Sequence, residues 1–294
     1  MDRASLTAEL ATLARASQTK EPEAIRGPDD LAIRFLGPAW RIIVNNEPIR
    51  RLFRAVMTRR MPGAYGFLIP RSKSFDRFVR QELEAGATQL VVLGAGYDSR
   101  AYRFRDLILK NGGRAFEVDA PPTSKRKRHK VKRAFGALPT HVRYVEVDFD
   151  RESLKDQLIA AGYDPTARTV FTWEGVTFYI TASAVDAVLS FVAEQSAPGS
   201  GLAFDYLFRS VLDPHPTAFG AKESVEYVRR RGEPFTFGID EDRIGTFLVE
   251  RGFNLEDHLR PEEMEAQFLG EYARERVLRV SGFYGIAMAR TRSH

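Results

Sequence analysis

Two glycines and a set of carboxylates carry the chemistry legible in this chain. Gly94-Ala95-Gly96 follows the apolar run 89–93. Glycine there permits backbone torsions and a close ligand approach that a side chain would block. Later β-rich runs end in Asp119, in Asp148-Phe149 and in Glu174. A carboxylate about 20 residues past a glycine turn can accept hydrogen bonds from ribose hydroxyls. Asp119 stands there; it could equally cap the helix starting at Pro121-Pro122. Glu117 shares its strand face by the period of two and is the fallback. Asp148 could accept the adenine amino proton with Phe149 against the ring, Asp150 serving as the helix cap. Glu174 would lie at the mouth of a central crevice, facing a ligand ammonium group or, more plainly, a backbone amide or an arginine.

These groups need a frame to hold them. Strands are expected over residues 89–93, 114–119, 141–147, 169–173, 201–206 and 283–289, with helices between most of them, such as 182–196 and 241–251. Continuous apolar runs suit strands buried on both faces. Alternating strands and helices predict an α/β, doubly wound sheet. Such sheets bind nucleotides beyond the carboxyl ends of their strands. The third glycine of a dinucleotide fingerprint is Ser99 here. A pyrophosphate needs that close helix approach and a nucleoside without phosphates does not. The turn therefore favours S-adenosylmethionine (SAM) over a nicotinamide cofactor.

The first eighty residues read as short helices and turns punctuated by six prolines, a helical cap over 1–80 ahead of a core over 81–294. In all, 294 residues suffice for a large core without staples. The absence of cysteine excludes disulfides, a thiolate zinc site and a cysteine nucleophile; no metal is called for. The start of the chain shows no secretory h-region and no apolar run approaches a bilayer span, so a cytoplasmic protein without membrane contact is expected. The net charge of +5 is too small to imply nucleic acid. The basic run 125–133 is either an anionic-partner patch or, preferably, a solvated helix face.

The motif Leu93-Gly94-Ala95-Gly96-Tyr97-Asp98-Ser99-Arg100 resembles the first motif of the leucine carboxyl methyltransferase-like enzymes. Ile69-Pro70-Arg71-Ser72 is similar to their arginine segment, 116–122 to their second motif, 173–179 to their fourth and 232–239 to a late segment. Taken in order, these cover residues from about Asp30 to Ala289. The resemblance implies a seven-stranded Rossmann-like sheet with an N-terminal helical lid, SAM as cofactor and O-methylation of a small-molecule acceptor in secondary metabolism. It implies that Arg71 pairs with the methionyl carboxylate, helped by Arg15 or Lys20, with Arg15 preferred. Gly94 and Gly96 would line the cofactor, Asp119 hold ribose, Asp148 and Phe149 adenine, and Glu174 the methionyl amino end. Ser72, Ser99 and Phe149 depart conservatively from the family pattern.

The acceptor side is less defined. A carboxylate acceptor is ionised near neutral pH and needs no base, whereas a phenol gains from one. Tyr179, Tyr206, Arg209 and His215 are the candidates. Carboxyl methylation of a protein C-terminus, and nucleic-acid binding through 125–133, are the alternative functions.

Overall fold

The computed structural model describes residues 3–147 and 152–292. Seven strands form one mixed sheet: β1 (Gln89–Leu93), β2 (Arg114–Asp119), β3 (Val142–Glu146), β4 (Thr169–Trp173), β5 (Gly201–Leu207), β6 (Phe253–Leu259) and β7 (Tyr284–Thr291), in the order β3-β2-β1-β4-β5-β7-β6. β1 to β5 are parallel, and β7 runs antiparallel between β5 and β6. Every residue of β1, β4 and β5 is buried. Helices on both faces cover these central strands, which explains their unbroken apolar runs. The order reverses between β1 and β4, where an open α/β sheet leaves a crevice. Leu93 and Trp173 pair in register, so Gly94 and Glu174 emerge side by side at that crevice.

β6 is absent from the strands expected above. Only its end residues are buried, and a register irregularity falls between Leu255 and Asp257. An edge strand with charged residues outward presents neither an apolar run nor a clean alternation.

Before the sheet come α1 (Arg3–Gln18), α2 (Pro38–Asn45), α3 (Glu47–Arg60) and α4 (Ala64–Glu84). Around the sheet lie α5 (Arg100–Arg103), α6 (Arg105–Lys110), α7 (Pro121–Phe135), α8 (Leu154–Ala160), α9 (Ala182–Glu194), α10 (Ala221–Arg230) and α11 (Ile244–Val249). Asn46 caps α3 through its side chain, and Pro48 sits in the first turn of that helix, where a missing N–H costs nothing. Residue 80 falls inside α4, a continuous helix packed on β4, β5 and β7. The layer lying over the crevice is therefore built from the residues ahead of α4. It has a small core of its own from Leu13, Ala16, Ala32, Leu36 and Val44. No helix among the described residues is long and apolar enough to cross a membrane.

The basic run lies on α7 and does more than face solvent. Lys127 is buried, and its Nζ sits 2.8 Å from Glu117 Oε1. Lys130 donates to Glu9 and to the Phe35 carbonyl, both at 2.8 Å, and Arg133 to the Leu36 carbonyl. Lys130 and Arg133 thus tie the lid to the sheet layer, while Lys125, Arg128, His129, Lys132 and most of Arg133 are exposed.

Candidate active site

Gly94 and Gly96 take φ of +63° and +43°, a region that costs a side chain about 1–2 kcal/mol. A Cβ on Gly94 would stand 2.3 Å from a Val176 methyl. On Gly96 it would stand in ordinary contact with the Gly94 carbonyl oxygen at 3.8 Å and with Ala8 at 3.9 Å. Both glycines line a cleft of about 540 Å³, together with Arg15, Arg71, Asp98 and Glu174.

Asp119 holds this turn. Its Oδ2 accepts from the Gly96 amide at 2.5 Å and its Oδ1 from Ala120 at 2.8 Å. The residue capping α7 is Ala120, without a side-chain bond, so the carboxylate is not used as a cap. Burial raises its pKa, against the pull of the two amides and Lys127. Glu117, the fallback, is misplaced for a ligand. It does share a face with Asp119, but two residues deeper, about 7 Å back along the strand. There Lys127 and the Tyr102 hydroxyl, at 2.9 Å, enclose it.

That enclosed pair yields a pH prediction. Burial pushes the Glu117 carboxyl from its ordinary 4.5 up to about 7, with Lys127 and Tyr102 opposing. The folded state then binds more protons than the unfolded state between those values. The stability Glu117 contributes is complete below 4.5 and is lost as pH rises through 7. Glu117→Gln removes the titration. Urea unfolding should show the variant gaining about 3 kcal/mol on the wild type across that window. A constant difference would refute it.

The far wall is a chain of buried ion pairs. Arg71 on α4 donates Nη1 to Asp205 at 2.8 Å, and its Nε lies 3.2 Å from Glu174. Arg100 reaches Glu174 at 2.6 Å and Asp76 at 2.8 Å, and pairs with Asp98. Burial opposes ionisation of Glu174, yet Arg100 and Arg71 outweigh it and hold the carboxyl down to about 2. Of the partners open to Glu174 from sequence, two arginines occupy it. Arg15 on α1 donates to the Tyr97 carbonyl at 2.8 Å and to Asp29 at 3.0 Å and lines the cleft; Lys20 is exposed outside it.

The cleft also has an aromatic lining of Phe67, Phe178, Tyr179, Tyr227 and Tyr284, which begins beside the ion pairs: the Arg71 guanidinium lies 5.3 Å from the Phe67 ring centre. Burial raises the pKa of both Tyr179 and Tyr284, leaving neutral phenols able to donate hydrogen bonds. Tyr206 lies elsewhere. On β5 its neighbour Asp205 faces Arg71, so Tyr206 faces the other way, under Gly285, with its hydroxyl 2.9 Å from His258 Nε2. His215 is exposed on a loop outside the lining, and Arg209 pairs with Asp240 outside it. Asp148 and Phe149 lie outside the described residues. Asp205 and Arg100 were missed from sequence. A lone carboxylate inside the apolar run Gly-Leu-Ala-Phe-Asp-Tyr-Leu is a signal that could have found the first.

A family model for leucine carboxyl methyltransferase matches residues 8–193, well over half of the chain. The protein belongs to the leucine carboxyl methyltransferase family. The Bacillus subtilis protein YktD, which carries the name of a SAM-dependent methyltransferase, is 30% identical over 200 residues, 68% of this chain and 65% of YktD. A Mycolicibacterium smegmatis protein of the same designation is 29% identical over 292 residues, covering 94% of this chain and 88% of its own. The match to a Mycobacterium avium relative spans 52% of that protein, so the chain spans between half and two thirds of YktD and this relative. Among solved structures, one from Thermobifida fusca named as a methyltransferase superposes with a TM-score of 0.56 at 15% identity, covering 95% of this chain and 94% of its own. A Streptomyces avermitilis protein of the DUF574 family gives 0.55 at 16%, covering 95% and 96%. At such identities these share the fold.

The cofactor named in those relatives fits the groups present in this family member. Gly94 and Gly96 both line the cleft with positive φ, and Gly94 leaves no room for a Cβ beside Val176. The buried Arg71 Nε makes no hydrogen bond, although it points toward the cleft's acidic wall. Cations at Arg15 and Arg71 suit a ligand carboxylate and the acids at Asp98 and Glu174 an ammonium. Asp119 stands behind the glycine turn, bonded to the Gly96 amide and outside the lining itself.

Proposed function

We propose that this family member is a SAM-dependent O-methyltransferase acting on a carboxylate or hydroxyl of a small molecule, in a biosynthetic route to a secondary metabolite. One observation carries the reading. A single cleft is lined by the glycine turn, by the ionic groups Arg15, Arg71, Asp98 and Glu174, and by a set of aromatic rings.

Bound SAM supplies a methyl group on a cationic sulfur. The remaining work belongs to the chain. Arg15 and Arg71 would hold the methionyl carboxylate, Glu174 and Asp98 the ammonium, and Asp119 the ribose hydroxyls. Gly94 and Gly96 let the backbone approach the nucleoside. The lid and the aromatic wall exclude water and align the acceptor oxygen, and alignment provides much of the rate in a displacement. Tyr179 and Tyr284, kept protonated by burial, can donate to an acceptor oxygen. A carboxylate acceptor needs no base. A hydroxyl acceptor would call on Glu233, a further carboxylate of the cleft lining.

The test uses the purified protein, labelled SAM and a panel of aromatic and aliphatic acids, phenols and peptides with free or amidated C-termini. Label should enter a small-molecule product. Release of the label as methanol by mild alkali marks an ester, and resistance marks an ether. No SAM binding by calorimetry would refute the reading, and transfer confined to free-ended peptides would replace the acceptor.

A further inference from the structure

Helices α3 and α10, which pack on each other, both contribute to the cleft lining. Each contributes a terminal arginine to the lining: Arg60 ends α3, and Arg231 follows α10. Arginines elsewhere around the cleft are committed to carboxylates, as Arg15 is to Asp29 and Arg71 to Asp205. The ion pairs of α3 and α10 engage Arg51, Arg54 and Arg230. Among the described residues Arg60 and Arg231 stand in none of them. Arg231 is steadied by the Tyr227 ring, 4.6 Å beneath its guanidinium.

The second observation lies on the outside of α3. Phe53 and Met57 pack inward against the main core. Ile49, Leu52 and Val56 recur at helical spacing, and Leu52 is 63% and Val56 41% exposed. Ile42 on α2 is 59% exposed. No residue of α3 is buried. Val56 belongs both to this stripe and to the cleft lining, so the apolar wall continues from the cavity onto the lid surface.

We infer that the acceptor is an elongated apolar molecule bearing one anionic group: Arg60 and Arg231 bind the anion, and the Val56–Leu52–Ile49 stripe receives the part of the apolar body that the cleft leaves outside. This rests on the methyl-transfer reading and specifies its substrate. The chemistry is complementary at both ends. Two cations that stand in no ion pair among the described residues favour an anion, and an exposed aliphatic row beside a cleft favours an aliphatic or ring body over a polar one. The anion is a binding handle, whether or not it is also the oxygen that accepts the methyl group.

Calorimetry on protein loaded with S-adenosylhomocysteine tests it, with decanoate, decyl phosphate, decanol and hexanoate as probes below their micelle concentrations. Decanoate or decyl phosphate should bind at least about tenfold more tightly than decanol, the difference between them separating a carboxylate from a phosphate site. Arg60→Gln should remove about tenfold of that anion preference. Leu52→Ser should weaken decanoate severalfold and leave hexanoate unchanged. Both positions are exposed, and unchanged melting curves confirm folding. Equal binding of decanol and decanoate overturns the anion site. Equal effects of Leu52→Ser on long and short chains overturn the stripe. Concentration-dependent self-association that Leu52→Ser abolishes assigns the stripe to a second copy and also overturns it. S-adenosylhomocysteine binding without any probe binding defeats this inference alone; failure of S-adenosylhomocysteine to bind defeats the methyl-transfer reading.

Discussion

Asp119→Ala should weaken SAM binding by a hundredfold or more, with only a modest loss of stability. A ribose diol offers two hydroxyl donors, and a carboxylate at the end of β2 can take both. Hydrogen bonds to a charged group contribute about 1.5–3 kcal/mol each, so losing two corresponds to roughly a hundredfold to ten-thousandfold in affinity. The carboxylate already accepts from Gly96 and Ala120, which fixes its direction before any ligand arrives. Removing it therefore costs both the ligand contacts and the shape of the turn. Asp119→Asn separates the two effects. It keeps an oxygen for one amide but loses the charge, and should fall between wild type and alanine. Calorimetry with SAM on the three proteins gives the order. Equal affinity of Asp119→Ala and wild type would remove Asp119 from the cofactor site.

How well the sequence reveals such a residue depends on the strand that carries it. β1 and β4 are buried on both faces, so their apolar runs, with the glycine turn after the first and Glu174 after the second, are visible without a structure. β6 is an edge with solvent on most of its side chains and leaves no comparable trace. Facing is harder than existence. The period of two separates Asp205 from Tyr206 but does not say which of them meets the cleft; only α4 lying across β5, with Arg71 on it, decides that. Depth is equally hidden. Glu117 and Asp119 share a face, and Lys127 rising from α7 makes one of them interior. The basic run mixes both cases. Its exposed half matches the composition, whereas Lys130 and Arg133 bond to lid residues about a hundred positions earlier in the chain, contacts that no local pattern encodes.

Arg100→Met should be the most destabilising single change at this site, about 3–5 kcal/mol at neutral pH, a large share of the 5–15 kcal/mol typical of a folded protein. Arg100 is 2% exposed, and its guanidinium is shared among Asp76, Asp98 and Glu174. Methionine fills similar space, so the cost is electrostatic: buried carboxylates lose a cation. Arg103 still serves Asp76 and Arg71 still serves Glu174, which keeps the loss finite. The sign with pH follows from Glu174. Its carboxyl ordinarily titrates at 4.5 and is held at about 2 in the fold, so its stabilisation is present above 4.5 and is lost as pH falls toward 2. Without Arg100 that shift shrinks. Urea unfolding should therefore show the gap between wild type and Arg100→Met widest near neutrality and closing as pH falls below 4.5. A gap that stays constant would point to packing instead of charge. A second readout concerns the ligand. Arg100 is a positioning residue that fixes Glu174 from behind, leaving Arg71 to the cleft. SAM affinity of the folded variant should drop, and Arg100→Lys should restore part of the stability but little of the affinity. A lysine ammonium is one point charge and cannot hold three carboxylates in fixed directions as the planar guanidinium does. An apolar replacement of the whole cluster could match the stability of the ionic one. It could not present an oriented carboxylate and an oriented guanidinium to the two charged ends of an amino acid, and on the proposed reading that requirement explains the ions beneath the sheet's carboxyl edge.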